Sequence, residues 1–315
     1  MRLASVGDEF ERSARLSSDE LRTLQGKKLA VLVRHSYDGC AAYRRMMDAA
    51  GVKPGDIRAA DDIAKLPIVE KKHIIEGAPW GWVSVPSERV ARFIESSGST
   101  GHPKLIAISK EEKRRLFEIS ARSFWLSGIR GDGVIFPMLP HGPWASAFFV
   151  QNGLELIGPT IPAEMSLPLD WHISRIQAYR PKYLVTSPSF ASKLYEEGHD
   201  RVDFPSLGLK RMVLGAEGIG KAQRERFEEL FGTTVLQGYG CTEIGVPAAE
   251  CEEKSGLHWF ADEYIIEAVD PETKEPVAPG ERGEMLVTCL FKDSMPMIRY
   301  AYLFSSSIGS SPAFA

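Results

Sequence analysis

Cysteine is scarce in this chain. Four occur among 315 residues, Cys40, Cys241, Cys251 and Cys289, and their spacing pairs none of them. That argues against a disulfide framework and for a reducing, cytosolic setting. Charge of one sign is lacking too. A net charge of −4 leaves no basic field to recruit nucleic acid or an acidic membrane surface. Long apolar runs are missing: the richest, residues 144–161, is interrupted by Gln151, Asn152 and Glu155, so no membrane span is expected. The first residues carry Asp8, Glu9 and Glu11 with no apolar core, unlike a secretory signal. No internal repeat is visible.

The bulk composition, 43% hydrophobic and 25% charged, is that of an ordinary globular chain long enough for a large domain plus a smaller element. Residues 1–89 read as a mostly helical segment. Ser17 to Glu20 offer an N-cap before Leu21, Leu24, Leu29, Leu32 and Val33, and a second helix is expected from Ala41 to Ala50, stopping at Gly51. From Val90 strands alternate with helices. Strands are expected at 90–94, 105–108, 133–136, 183–186, 211–214 and 234–236, with helices at 110–126, 144–156, 170–179, 188–197 and 221–231. That order predicts an α/β fold with a mostly parallel sheet flanked by helices, spanning 90–300. Segments 263–269 and 284–288 read as a later antiparallel element. After Tyr300 the text loses charge and period, and 301–315 reads as a disordered or adventitious tail.

The densest chemistry lies in Ser96-Ser97-Gly98-Ser99-Thr100-Gly101-His102-Pro103-Lys104, between two apolar runs. Glycines let backbone approach a ligand closely, and hydroxyls with freed amides form an anion-binding concavity. A plain polar turn has the same composition. A Walker A loop does not, because Gly98 and Gly101 stand too close and no Gly-Lys-Ser/Thr follows. Lys104 could reach a phosphate or be a solvated charge.

With Gly215-Ala216-Glu217 and Tyr239-Gly240-Cys241-Thr242-Glu243 further on, this loop resembles the phosphate loop, adenine-proximal and tyrosine–threonine–glutamate motifs of the adenylate-forming superfamily, in that order and at that separation. Within it the chain is similar to the phenylacetate–CoA ligase branch. Leu21 through Tyr43, Gly51-Val52, Leu66-Pro67, Lys71, Gly256-Leu257-His258 and Met295 through Tyr300 carry that likeness, over about residues 17–300. The resemblance implies the superfamily's large-domain fold. It also implies AMP-forming ligation of a small carboxylic acid, with ATP, Mg²⁺ and coenzyme A. Ser96, Ser97, Gly98, Ser99, Thr100, Gly101 and Lys104 would hold phosphates. Gly215, Ala216, Glu217, Tyr239 and Gly240 would meet the adenine. Thr242 would donate to the α-phosphate, and Glu243 would hold the magnesium. Cys241 is not expected to act as a nucleophile, because the first step needs positioning and charge neutralisation only.

His141 and Trp144 occupy the region where the family places its acyl pocket, and the indole favours an aromatic or mid-sized apolar acid. Phe148 and Phe149 are explained by helix packing. Cys251 and His258 suggest half of a zinc site, with Cys289 a possible third ligand; a closed site needs four. After Arg299-Tyr300 the family continues with a threonine or glycine and a ribose-binding aspartate, where this chain has Ala301-Tyr302-Leu303. The family's small C-terminal domain and its lysine are likewise not in the sequence. The expectation is therefore of a truncated member with feeble adenylation and little thioester formation. Two other readings stay open: a non-catalytic ATP- or acyl-binding remnant, and an adenylating enzyme with an acceptor other than coenzyme A. Partners other than the small acid are not expected, apart from a possible homodimer.

Overall fold

A computed structural model describes residues 7–8, 15–96 and 103–307, the last six as backbone only. The chain divides into two compact units, residues 11–115 with 259–315, and residues 1–10 with 116–258.

The first unit opens with helix α1 (Ser18–Gly39). Its start is a capping box: Ser17 Oγ accepts from the Glu20 amide while the Glu20 carboxylate accepts from the Ser17 amide at 2.9 Å. Leu21, Leu29, Leu32 and Val33 bury the inward stripe. Helix α2 (Ala41–Ala49) ends one residue earlier than expected, before Gly51 at φ +69°. Helix α3 (Lys71–Glu76) follows. Strands β1 (Val90–Glu95) and β2 (Leu105–Ser109) form an antiparallel pair. Helix α4 (Lys110–Leu126), whose residues from Leu116 on belong to the second unit, has the limits its period predicts.

The second unit is doubly wound. Its elements are β3 (Ile135–Leu139), α5 (Ala145–Glu155), β4 (Ala163–Glu164), α6 (Leu169–Tyr179), β5 (Tyr183–Thr186), α7 (Pro188–Gly198), β6 (Arg211–Leu214), α8 (Lys221–Phe231), β7 (Thr234–Cys241) and β8 (Gly245–Ala249), with β9 (His258–Trp259) at the sheet edge. The strand order is β4-β3-β5-β6-β7-β8-β9. Strands β4, β3, β5, β6 and β7 are parallel to their neighbours, and β8 returns antiparallel to β7. The fold is α/β with a mostly parallel sheet, as expected. Its core joins Phe136, Leu184 and Met212 of the strands to Ile176, Leu194 and Phe231 of the helices.

Strand β3 departs from the reading that stopped it at Phe136. It runs on through Pro137, a residue normally kept out of strand interiors. Ile135 and Leu139 hydrogen-bond on the β4 side, so Pro137 faces that side too. There β4 pairs only with Met138 and Leu139, and the missing N–H breaks no ladder.

The first unit closes with β10 (Tyr264–Val269), β11 (Arg282–Cys289) and β12 (Tyr300–Ser307), an antiparallel sheet. Here the expectation of an unstructured tail fails. Residues 300–307 pair with the free edge of β11, from Val287↔Tyr300 to Arg282↔Ser307, across a bulge at Leu303 and Phe304. Backbone pairing needs no charge pattern, and tyrosine and phenylalanine, the types at 302 and 304, are enriched in strands. Residues 308–315 lie outside the described residues. No helix among the described residues is long and apolar enough to cross a membrane.

Candidate functional site

In the first unit, the phosphate-loop candidate begins where β1 ends. Ser97, Gly98, Ser99, Thr100 and Gly101 lie outside the described residues, but the neck of the loop is clear. The Ser96 amide donates to the Lys104 carbonyl at 3.0 Å, and the Lys104 amide donates to Ser96 Oγ at 2.8 Å. Ser96 is thus engaged in closing the loop. Lys104 is 9% exposed, so it is not the solvated charge of the bland reading. Its Nζ donates to the Tyr300 hydroxyl at 3.3 Å and lies 5.8 Å from that ring's centre. Arg299, at φ +47°, holds Tyr300 in place: its guanidinium is buried, pairs with Glu267 at 3.0 Å and donates to the carbonyls of Ala64 and Leu66.

In the second unit, Thr186, Leu214 and Gln237 stand side by side at the carboxyl ends of β5, β6 and β7. Ligands of open α/β sheets bind outside such ends. Gly215 follows β6 and donates to the Thr186 carbonyl at 3.0 Å. A Cβ there would stand 3.3 Å from the Gly238 carbonyl oxygen, so glycine lets the turn after β6 lie close to β7. Ala216 sits at φ +70°, and Ala216 and Glu217 are exposed. Glu217 accepts a 2.5 Å hydrogen bond from Ser189 Oγ.

The Tyr239–Glu243 stretch is the β7–β8 hairpin. Tyr239 pairs with Ala248 and Cys241 with Gly245, leaving Thr242, Glu243 and Ile244 as the turn. Gly240 must be glycine, since a Cβ would come within 2.6 Å of the Gly245 carbonyl oxygen. Tyr239 and Thr242 are half-buried, and Glu243 is only 3% exposed. Behind the hairpin a bidentate pair braces the strands: Arg224 donates to both Glu250 oxygens at 2.6 and 2.7 Å, and Glu250 also accepts the Gln237 amide at 2.8 Å. Gln237 Oε1 accepts the Ile219 amide, fixing the loop after Glu217.

His141 and Trp144 lie between β3 and α5. The His141 amide donates to Glu164 at 2.7 Å, and Glu164 also accepts the Ser166 amide. Burial pushes the Glu164 carboxyl up, but these amides outweigh it and hold it below the usual range. Trp144 is 43% exposed, whereas Phe149 is buried and Phe148 packs edge-on against Phe117. The bland reading of the phenylalanines holds. Reading the sequence missed Glu164, Ser189 and Gln237. Only Ser189 had a signal, the Ser187-Pro188 start of α7, where Ser187 Oγ caps the Phe190 amide.

Cys251 Sγ and His258 Nε2 meet at 3.2 Å. Among the described residues no group of three or more His, Cys, Asp or Glu could hold a metal ion, so these two do not fit a closed zinc site.

A family model described as AMP-binding enzyme matches residues 37–289. The chain belongs to that family. Over 289 residues it is 34% identical to the phenylacetate-coenzyme A ligase of Thermus thermophilus, covering 90% of this chain and 65% of that protein. It is 33% identical to the phenylacetate-coenzyme A ligase of Aromatoleum evansii, covering 94% of this chain and 68% of that one. A solved 2-hydroxyisobutyryl-CoA ligase, in complex with 2-HIB-AMP and CoA, shares the fold at a TM-score of 0.85 and 22% identity, covering 92% of this chain and 66% of that one. The chain thus spans about two thirds of the length of the relatives it matches. The branch expected from the motifs is the one its relatives occupy.

Proposed function

We propose that this protein activates an aromatic carboxylic acid with ATP and transfers the acyl group to coenzyme A. The observation that supports this most is the 34% identity to a phenylacetate-coenzyme A ligase over 90% of the chain. The Tyr239–Glu243 hairpin lies within the matched family region. A carboxylate oxygen attacks the α-phosphorus, the bond to the bridging oxygen breaks, and pyrophosphate leaves with the electron pair. The thiol of coenzyme A, losing its proton to solvent, then attacks the acyl carbon; the C–S bond forms as the acyl C–O bond to phosphate breaks and AMP leaves with the electron pair. No protein nucleophile is required, so Cys241 has no covalent part.

In this reading the Ser96–Gly101 loop, with Ser97, Gly98, Ser99 and Thr100, and Lys104 hold the β- and γ-phosphates. Such charge-assisted bonds contribute about 1.5–3 kcal/mol each. Tyr239 offers its ring face to adenine, and Gly215, Ala216, Glu217 and Gly240 bring backbone beside it. Thr242 donates to the α-phosphate, and His141 and Trp144 face the acid. Glu243 suits magnesium: a carboxylate in a turn next to a threonine hydroxyl is an all-oxygen donor set, which a hard cation prefers. When bound, the cation neutralises phosphate charge.

Pyrophosphate release with phenylacetate, benzoate and acetate, each with and without coenzyme A, tests this reading. Thr242→Ala and Glu243→Gln should each lower the rate at least tenfold. A preference for acetate would sink the aromatic assignment. Adenylate formation that ignores coenzyme A would move the acceptor elsewhere. No calorimetric heat with millimolar ATP, in folded protein, would end the proposal.

A further inference from the structure

A cavity in the second unit lies away from every motif residue. It has a volume of about 720 Å³, within the range of small-molecule sites. Tyr183, Arg211 and Thr234, register partners at the amino-terminal starts of β5, β6 and β7, line it. It therefore opens at the end of these strands opposite Gly215 and Tyr239.

Its walls are cationic. Arg130, Lys210, Arg211 and Lys254 line it against the single carboxylate of Glu228, a net of three positive charges. The other carboxylates that meet these cations, Asp132 for Lys210 and Glu252 for Arg211, are 46% and 67% exposed. Such solvent-side pairs bind weakly and exchange readily for a better anion. Two polar atoms of the lining have no hydrogen-bond partner although they are shielded from water: Nε of Arg211 and Oγ1 of Thr233, a residue only 9% exposed. Rotation about one bond turns a threonine hydroxyl toward the cavity. The chain also makes room for the guanidinium. Gly128 adopts φ +80°, and a Cβ there would stand 2.9 Å from Arg211 Nε. Buried donors with no protein partner are the groups a bound anion would engage.

We propose that this cavity binds a diphosphate-bearing small molecule at a site separate from the proposed ATP site. Four clustered cations, with more than one arginine and lysine donor, and a threonine hydroxyl match a diphosphate better than a single carboxylate. Free pyrophosphate and the diphosphate of a nucleotide share that chemistry.

The test is amide NMR of the full chain titrated with inorganic pyrophosphate, ADP or sulfate. Signals of Gly128, Gly232 and Thr233 should shift saturably with pyrophosphate or ADP, and weakly with sulfate. ADP binding tighter than pyrophosphate would identify a nucleotide as the source; the reverse order would identify the free anion. The shifts should persist in Thr242→Ala, which separates this cavity from the proposed ATP site. In Lys210→Ala/Lys254→Ala the dissociation constant should rise by about tenfold or more. If that double variant does not fold, Thr233→Val, which removes only a hydroxyl, should weaken binding several-fold. No saturable shift at these amides up to millimolar ligand, or affinity unchanged in the folded variants, overturns the proposal.

Discussion

The two ends of strands β5, β6 and β7 are built on opposite plans. At the carboxyl end two glycines bring backbone together: Gly215 and Gly240 each have a carbonyl oxygen within 3.3 Å of where a Cβ would stand. At the amino end Lys182, Lys210 and Arg211 crowd around Asp132 and Glu252. One end works by letting backbone come close, so at Gly215 and Gly240 it has no room for an added atom. The other works by long charged side chains that can rearrange. Substitutions should hence be all-or-none at the first end and graded at the second.

The largest effect is expected where the first end is braced. The Arg224 and Glu250 side chains are 12% and 6% exposed. Glu250→Leu should destabilise the protein by about 3–5 kcal/mol in urea unfolding, because it strands a buried guanidinium. The double variant Arg224→Leu/Glu250→Leu should recover much of that loss. Full additivity of the two single effects would mean that the pair is not a unit. Next comes Gly240→Ala. Its Cβ would meet the Gly245 oxygen at 2.6 Å, so the hairpin must shift, and kcat/KM for pyrophosphate release should fall on the order of 100-fold. Gly218→Ala, at the same end but with nothing within 4 Å, should be silent. Equal effects from both would dissolve the contrast.

How much of this was legible beforehand follows the same division. Periodicity gave α4, β5, β6 and α8 to the residue, because each is bounded by a glycine, a proline or a charge reversal. Strand β3 was cut short because the rule against proline in strands is local, while the exception at Pro137 depends on how little of β4 lies beside it. The pairing of β12 was invisible for a related reason: an open edge at β11 is a property of the sheet, not of residues 300–307. Among the candidate site residues, Gly215, Gly240, Thr242 and Glu243 were singled out only by the family motifs, and the hairpin that carries the last two was not read, because β7 runs on to Cys241 instead of stopping at Leu236. Glu164 and Gln237 were not singled out at all. Each acts by accepting one distant amide, and a lone acidic or amide residue carries no mark of that in sequence.

The layer between the two ends can be probed by pH. His172 is fully buried against Phe136, Trp171 and Phe190, and neither ring nitrogen has a hydrogen-bond partner. Burial lowers its pKa below 6.5, opposed only in part by nearby Glu164. As pH falls through 6.5 the unfolded chain takes up the proton before the folded one does. Stability from this group is therefore full above about 6.5 and is lost as pH falls toward the lower folded value, with a slope of at most about 1.4 kcal/mol per pH unit. His172→Phe should flatten the stability profile between pH 5 and 6.5 relative to the parent. An unchanged slope would mean that the core beside β3 is wet.

The smallest effect belongs to the amino end. Gly128→Ala places a methyl at φ +80°, which costs about 1 kcal/mol. It also sets Cβ 2.9 Å from Arg211 Nε. A flexible guanidinium can move a few tenths of an ångström, so the stability loss should stay near that figure. The moved Arg211 should nonetheless weaken pyrophosphate binding at the cavity several-fold, while pyrophosphate release at the opposite end stays within twofold of the parent. Loss of release activity comparable to that of Gly240→Ala would show that strain at one end of the strands is transmitted to the other, and the two plans would then be one.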